Sequence, residues 1–236
     1  MHFLSEIIIE SGIINEYQKD LIVVTSHQEI QPELQTGLWL SEFVEVYDLL
    51  INAGHQVTVA SMKGGKTPID PNSLPQEGNA ERISDHEQLQ DTVLLKELSS
   101  NDFDAIYLPG GHRTMFDFAN DISLQNMVRE FAQSDRIVAA VCHGLSGFVG
   151  VTLSNGESFV KGKTLTSFTN NEEQTIQLDS LMPFLLEDGL RQLGANFISA
   201  PIFSEHVITD GNLITGQNPQ SSTSLGKALL ERLEAK

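Results

Sequence analysis

The chain alternates between short apolar runs and longer stretches whose apolar residues recur at helical spacing. Four short runs that end in polar or turn-forming residues predict buried strands, at 21–24, 57–61, 104–108 and 136–141. Three stretches predict helices, at 36–53, 123–134 and 221–233. Gly54 is placed to close the first helix, and Ser221 is placed to cap the last one. Because apolar strands alternate with helices, we expect an α/β domain with a mostly parallel sheet covered on both faces.

Two segments depart from this alternation. Between 207 and 216, apolar residues flank the Asp210-Gly211 pair, which predicts a hairpin or another tight turn. Between about 64 and 91 the chain is polar and contains three prolines. That segment is either an irregular surface excursion or a lid over a site, since long loops in compact domains often carry function. No repeat or linker divides the 236 residues, so we expect a single domain over 1–236.

The composition narrows the classes of protein that the chain can represent. Its 14 basic residues against 32 acidic ones give a formal net charge of −18. This balance argues against a protein that binds nucleic acid and against docking on an anionic membrane, and no apolar run is long enough to span one. The single cysteine, Cys142, rules out an internal disulfide and any multi-cysteine metal site. A lone cysteine suits a reducing compartment, so we expect a cytoplasmic protein.

The strongest local signal for chemistry follows the fourth predicted strand. An apolar run leads into Cys142, and Gly144 then permits a sharp turn into a following helix. This is the pattern of a nucleophile elbow, which exposes its nucleophile at the carboxyl end of a strand, where α/β sheets bind ligands. His143 adjoins the cysteine and could act as a general base or stabilise a thiolate. A third group normally orients such an imidazole, and sequence spacing does not choose that group.

A second turn ends the preceding strand, at 108–112. Its paired glycines, Gly110 and Gly111, let backbone N–H groups approach a ligand and form a nest for an anion. Beside the elbow they would stabilise a developing oxyanion. We therefore take Gly110, Gly111, His112 and, in the elbow, Gly144 as candidate oxyanion or substrate-binding residues.

An acidic residue, Glu42, lies inside or beside the first predicted helix, among Trp39, Leu40 and Phe43. It either faces solvent or points back toward the strand ends. If Glu42 is buried, its pKa rises and it can shuttle protons.

With these motifs the sequence resembles the ThiJ/PfpI superfamily, which is related to class I glutamine amidotransferases. It is most similar to the branch of heat-shock chaperones that are also glutathione-independent glyoxalases (glyoxalase III). The matching stretches cover nearly the whole chain in the expected order, at 36–42, 108–112, 114–117, 140–144, 167–170, 172–173, 182–187 and 213–219. The resemblance implies a flavodoxin-like α/β sandwich, usually a homodimer, with no metal or organic cofactor.

The resemblance also implies roles for individual residues. It makes Cys142 the nucleophile, His143 its neighbour and Glu42 the carboxylate beside the sulfur. Glu173 falls where this branch can place a carboxylate behind the histidine, and Glu172 is one residue away.

Two positions depart from the pattern of the branch, which often has glycine at position 113 and proline at position 145. This chain has Arg113 and Leu145 instead. Arg113 could narrow the pocket or bind a carboxylate-bearing substrate, and Leu145 could change the start of the helix after the elbow. Both departures bear on the substrate more than on the nucleophile.

We therefore expect an enzyme that acts on small aldehydes of the 2-oxoaldehyde class, such as methylglyoxal. The Cys142 thiolate would attack the aldehyde carbon, and Glu42 would move a proton between the two carbons. A second interpretation is a stress chaperone that holds unfolded client proteins, and a third is a cysteine amidase or peptidase with a Cys-His-carboxylate triad. Because a helix start and His143 both favour a thiolate, we expect Cys142 to be accessible, acidic and easily oxidised.

Overall fold

A computed structural model describes residues 18–26, 35–74 and 87–235. Its strands are β1 Lys19–Val24, β2 Gln56–Ser61, β3 Val93–Leu94, β4 Ala105–Leu108, β5 Ile137–Val141, β6 Thr164–Leu165, β7 Asn196–Phe197, β8 Val207–Asp210 and β9 Leu213–Gly216. Its helices are α1 Leu40–Asn52, α2 Thr114–Asp117, α3 Ile122–Gln133, α4 Ser146–Val149, α5 Asn170–Thr175, α6 Leu186–Gln192 and α7 Ser222–Glu234. All four predicted strands are present, and each predicted helix overlaps an observed one.

Seven strands form one sheet in the order β3-β2-β1-β4-β5-β9-β8. Every neighbouring pair is parallel except β8 and β9, which form the predicted hairpin. At the turn, Gly211 has φ 63°, a conformation that glycine adopts without a steric penalty. A separate pair, β6 and β7, is also parallel. This is the mostly parallel, flavodoxin-like sheet that we expected.

The core lies on both faces of the sheet, because successive residues of each strand point to opposite sides. On one face, Leu21, Ile106 and Val138 pack against α3 through Met127 and other apolar residues. On the other face, the alternate strand residues pack against α1 and α7, which also contact each other. Because both faces are covered, the central strands are apolar along their whole length. The carboxyl ends of β1, β4 and β5 meet at one edge of this layer.

The ends of two helices differ from the prediction. Helix α1 begins at Leu40 rather than at 36, because Gly37 packs against the backbone of Pro68 and Leu38 donates its N–H to the Pro68 carbonyl. Ser221 does precede α7, but its hydroxyl donates to Asn218 and caps no helical N–H. Gly54 follows α1 with φ 89°, as a C-terminal cap requires.

The described parts of the 64–91 segment are tied to the body of the domain. Gly65 and Thr92 exchange backbone hydrogen bonds, and Thr67 donates its N–H to the Leu89 carbonyl. These contacts fix both ends of the segment, as either an excursion or a lid would require. Residues 75–86, the central part of the proposed lid, lie outside the described residues. Within the described ranges, no helix is long and apolar enough to cross a membrane.

Candidate active site

Cys142 lies in a sharp turn directly after β5. Its φ is 57°, an uncommon left-handed conformation for a residue other than glycine. A Cβ at Gly144 would overlap the carbonyl oxygen of Leu108, so glycine lets the turn pack against the end of β4. The elbow is therefore present, but the predicted helix after it is not continuous. A 3-10 turn, Cys142–Leu145, comes first, and α4 has only four residues. A helix dipole consequently contributes less to thiolate stability than the sequence suggested.

The imidazole of His143 faces the cysteine on one side and a carboxylate on the other. Its Nδ1 lies 3.3 Å from the Cys142 sulfur, and its Nε2 lies 2.6 Å from Glu173 Oε2. The second carboxylate oxygen, Oε1, lies 2.8 Å from His112 Nε2. The sequence did not predict this contact of His112. All four side chains are nearly inaccessible to solvent.

Glu173 and His143 have complementary protonation states. Burial alone would raise the pKa of Glu173, but its electrostatic attraction to His143 and its hydrogen bonds with both imidazoles outweigh burial and hold it well below its usual range. Burial, and next the neighbouring His112, lower the pKa of His143 and keep it neutral. An ionised carboxylate only accepts hydrogen bonds, so His143 donates its Nε2 hydrogen to Glu173. Its Nδ1 is then unprotonated and able to accept the thiol proton of Cys142.

Glu42 occupies the first turn of α1 and points back toward the strand ends. Its side chain is fully buried, and its Oε2 accepts the Gly110 N–H at 2.6 Å. Burial raises its pKa to about 8, against the smaller lowering effects of Gly110 and Cys142. Among the residues that the structure describes, no hydrogen-bond partner of ordinary geometry faces Oε1, so it is the atom available to the Cys142 side chain. Glu42 is thus mainly protonated at neutral pH and can donate to the sulfur.

The structure contradicts the expectation of an accessible, acidic thiol. Only 3% of Cys142 is exposed. Burial raises its pKa well above the usual value, and the Glu42 charge, when present, raises it further. The backbone N–H of His143 donates to the sulfur and acts in the opposite direction, but more weakly. Loss of hydration disfavours the thiolate more than local hydrogen bonds favour it, so the resting group is a thiol.

The two glycine turns are held together by a residue that the sequence analysis missed. The hydroxyl of Thr114 contacts the carbonyl oxygens of both Gly111 and His143, at 2.9 and 2.8 Å. Gly110 has a different partner from the one predicted, since its N–H is directed at Glu42 and not at an incoming ligand. Gly111 lines the pocket in front of the sulfur.

A cavity of about 240 Å³ opens in front of Cys142. Its lining is mainly apolar and includes Trp39, Gly111, His112, His143, Phe168, Ile176, Phe203, Pro219 and Gln220. Arg113 does not line it, because this residue is buried and its Nε donates to the Thr36 carbonyl. The predicted use of Arg113 to narrow the pocket or bind a substrate carboxylate is therefore wrong.

Glu172 does not orient His143, which settles the alternative that the sequence left open. Its carboxylate completes a capping box with Thr169 and accepts hydrogen bonds from Phe203 N–H and Asn218. The local pattern Thr169-Asn170-Asn171-Glu172 is that of a capping box and could have indicated the first of these contacts. Phe203 and Asn218 lie 31 and 46 positions away, so no local motif indicated those two contacts. As for metals, the ligand atoms of His112, His143 and Glu173 lie within 4.8 Å of one another among the described residues, but they already pair with each other.

Comparison with known proteins is consistent with this geometry. Residues 34–232 match the DJ-1/PfpI family. The chain is 29% identical over 235 residues to the glutathione-independent glyoxalase HSP31 of Saccharomyces cerevisiae, covering 92% of this chain and 98% of that protein. It also resembles the crystal structure of glyoxalase III from Candida albicans (TM-score 0.83, 26% identity, 91% and 96% covered). The X-ray structure of Rapid Encystment Protein 24 KDa of Francisella tularensis is similar as well (TM-score 0.87, 35% identity, 92% and 99% covered).

Proposed function

The chain belongs to the DJ-1/PfpI family, and from that premise we propose that it is a glutathione-independent glyoxalase. It converts 2-oxoaldehydes such as methylglyoxal to 2-hydroxy acids on the Cys142 thiol. One observation carries the proposal: the sulfur lies 3.3 Å from His143 Nδ1 and beside the buried carboxyl group of Glu42. From their surroundings we infer that this nitrogen is unprotonated and that the carboxyl group is mainly protonated at neutral pH. The reaction needs one base and one acid at the same carbon, and these two groups supply them. The names of similar proteins support the same activity.

In the first step the Cys142 sulfur attacks the aldehyde carbon, C1. The thiol proton passes to His143 Nδ1, and the aldehyde oxygen takes the proton of the Glu42 carboxyl group. The product is a hemithioacetal on Cys142, beside an imidazolium and a carboxylate. Glu173 stabilises the imidazolium because it is ionised and 2.6 Å from His143 Nε2.

In the second step the Glu42 carboxylate removes the hydrogen from C1. The electron pair of that C–H bond forms a double bond to the ketone carbon, C2, and the ketone oxygen takes the proton from His143. Glu42 then delivers its proton to C2 while His143 accepts the proton of the C1 hydroxyl. C1 is oxidised and C2 is reduced within one molecule, so no external oxidant takes part.

In the last step water hydrolyses the resulting thioester. The hydroxide part of the water adds to C1, and the remaining proton of the water goes to the Glu42 carboxylate. The bond between C1 and the Cys142 sulfur then breaks, and the sulfur takes a proton from His143. Before the attack the backbone N–H of His143 donates to the sulfur. Once the sulfur is bonded to C1, this N–H turns to the oxygen on C1 and stabilises its oxyanion charge, with Gly111 and Gly144 as its neighbours. His112 shares Glu173 with His143, so its role is to position that carboxylate.

A holding chaperone is the second candidate function. Several large apolar side chains are exposed close together in the chain, among them Ile198, Ile202 and Phe203. Such a surface would bind unfolded clients. We further propose a homodimer in the cytoplasm, where a reducing environment keeps Cys142 as a thiol. Light scattering tests the dimer, and a monomer mass with activity intact would remove it from the account.

Parallel assays separate the candidate functions. The protein is incubated with methylglyoxal in the absence of glutathione, with peptide and amide substrates, and with an aggregating client protein. A glyoxalase forms lactate and leaves the amides intact, whereas an amidase or peptidase does the reverse. If Cys142→Ala abolishes lactate formation but still suppresses aggregation, the two activities use different parts of the molecule.

A further inference from the structure

Phe203 is held in a strained backbone conformation at the wall of the active-site cavity. Its φ is 54°, in the left-handed region that a bulky aromatic residue rarely adopts. Its N–H donates to Glu172 Oε1 at 2.8 Å, and Glu172 is fully buried. Strain of this kind persists only where surrounding contacts enforce it, and it concentrates at functional positions.

The loop that carries Phe203 has further anchors. The side-chain amide of Asn218 donates to Glu172 Oε1 and to the Ser204 carbonyl, both at 2.8 Å. The Ala200 N–H donates to the side chain of Gln217 at 2.9 Å. A glycine at 203 would adopt the same φ without strain. Because the backbone alone would favour glycine at this position, we infer that the phenyl ring, which lines the cavity, is the reason for a phenylalanine here.

The ring of Phe203 ends a row of aromatic rings that begins at the catalytic imidazole. The His143 and Phe168 ring centroids are 4.6 Å apart, and those of Phe168 and Phe203 are 6.4 Å apart. Both separations are typical of favourable aromatic pairs. A planar ring attached to a carbon bound at Cys142 would lie in the cavity that Phe168 and Phe203 line.

The rest of the cavity suits the same kind of group. Trp39, Ile176 and Pro219 add apolar surface, and none of the described lining residues is Lys, Arg, Asp or Glu. The cavity of about 240 Å³ is larger than the methyl group of methylglyoxal can fill. A carboxylate or phosphate on the substrate would lose its hydration there without gaining an opposite charge.

We propose that the site prefers 2-oxoaldehydes that carry an aromatic substituent, the aryl glyoxals, and that Phe203 determines this preference. The proposal rests on the proposed glyoxalase function and names its substrate class. Methylglyoxal would react by the same steps, but its methyl group is too small to fill the part of the cavity that Phe168 and Phe203 line.

The test compares phenylglyoxal with methylglyoxal, both without glutathione, by measuring kcat/KM for formation of the 2-hydroxy acid. We expect the wild-type ratio of phenylglyoxal to methylglyoxal to be about tenfold or more, the scale on which apolar pockets discriminate. Phe203→Gly removes the ring and tolerates the backbone angle, and it should lower this ratio about tenfold. Because both proteins meet the same two substrates, intrinsic aldehyde reactivity cancels when the ratios are compared.

Two control variants sharpen the comparison. Phe203→Tyr keeps an aromatic wall and should keep the wild-type ratio. Ile202→Ala alters the exposed neighbour, which does not line the cavity, and should also keep it. A wild-type ratio of one or less, or an unchanged ratio in Phe203→Gly, would overturn the inference and leave the glyoxalase proposal standing. Absence of any 2-hydroxy acid from either substrate would instead refute the glyoxalase function itself.

Discussion

His143 Nδ1 lies 3.3 Å from the sulfur of Cys142, although the two residues are adjacent in the chain. Adjacent side chains normally diverge, and the left-handed conformation of Cys142 brings these two together. Glu173 holds the far side of the imidazole, so the nitrogen that faces the sulfur is the one without a hydrogen. The turn at Cys142 and the distant carboxylate of Glu173 therefore both prepare His143 Nδ1 to accept the thiol proton of Cys142.

The first prediction concerns Glu173. Glu173→Gln keeps the shape of the side chain but can donate a hydrogen to His143 Nε2, which favours the wrong tautomer and removes the charge that stabilises the imidazolium. We expect kcat/KM for methylglyoxal to fall by about 10²–10⁴-fold, the scale of a general acid–base contribution. Glu231→Gln, an exposed change on α7, should retain wild-type activity. Full activity in Glu173→Gln would show that His143 needs no carboxylate.

The second prediction concerns Glu42. In Glu42→Gln the amide oxygen can still accept the Gly110 N–H and the amide nitrogen can donate to the sulfur, but the group cannot carry a proton. The fold should persist, while 2-oxoaldehyde turnover falls by about 10²–10⁴-fold. Above about pH 8, where Glu42 ionises, alkylation of Cys142 should be as fast as in wild type or faster, since the variant lacks a charge that opposes the thiolate. Asp48→Asn, exposed on the same helix, is the matched control. Wild-type turnover in Glu42→Gln would make His143 the next candidate for the proton carrier.

The third prediction is a pH dependence of stability that comes from Glu42. Its folded-state pKa is raised from 4.5 to about 8, so the folded protein holds a proton that the unfolded chain releases. The contribution of Glu42 to the free energy of unfolding is fully present below pH 4.5, the pKa of the group in the unfolded chain. It is lost as the pH rises to about 8. The full shift corresponds to a loss on the order of 5 kcal/mol. Urea unfolding between pH 5 and pH 8 should show a decline in wild type that is absent from Glu42→Gln. Parallel pH profiles of the two proteins would mean that Glu42 ionises normally.

The fourth prediction concerns the reactivity of Cys142. Because the thiol is buried with a raised pKa, iodoacetamide should label the native protein more slowly than the urea-unfolded protein at about pH 8, near the ordinary thiol pKa. Native labelling should accelerate as pH rises further, and a 2-oxoaldehyde should protect against it. If iodoacetamide labels the native protein rapidly near neutral pH, Cys142 has a lowered pKa, as the sequence suggested, and the raised pKa is contradicted. A native thiol that no small reagent reaches at any pH would exclude Cys142 as the nucleophile.

The sequence predicted the parts of this site that depend on local pattern. Apolar runs identified the strands, and a cysteine and three glycines at the strand ends marked the elbow and its neighbouring turn. The same local reasoning placed α1 four residues too early, because the chain before Leu40 is held by Pro68 and not by helical hydrogen bonds. Local pattern carries no information about which distant backbone will supply a partner.

Burial and long-range pairing account for what the sequence did not predict. The helix-based argument for an acidic Cys142 omitted the loss of hydration, which dominates once the residue is 3% exposed. The pairing of His112 with Glu173 joins residues 61 positions apart, and the anchor of Phe203 on Glu172 joins residues 31 positions apart. Such contacts follow from the order of the strands, and the spacing of residues along the chain does not reveal them.

The most direct test of the proposed chemistry is the yield of lactate from methylglyoxal without glutathione, measured with wild type and with Cys142→Ala. If Cys142 is the nucleophile of a glyoxalase, wild type forms one lactate for each methylglyoxal consumed over many turnovers, and Cys142→Ala forms no more than buffer alone. Lactate formation by Cys142→Ala at the wild-type rate would contradict the account, as would loss of methylglyoxal in the presence of wild type with no lactate formed.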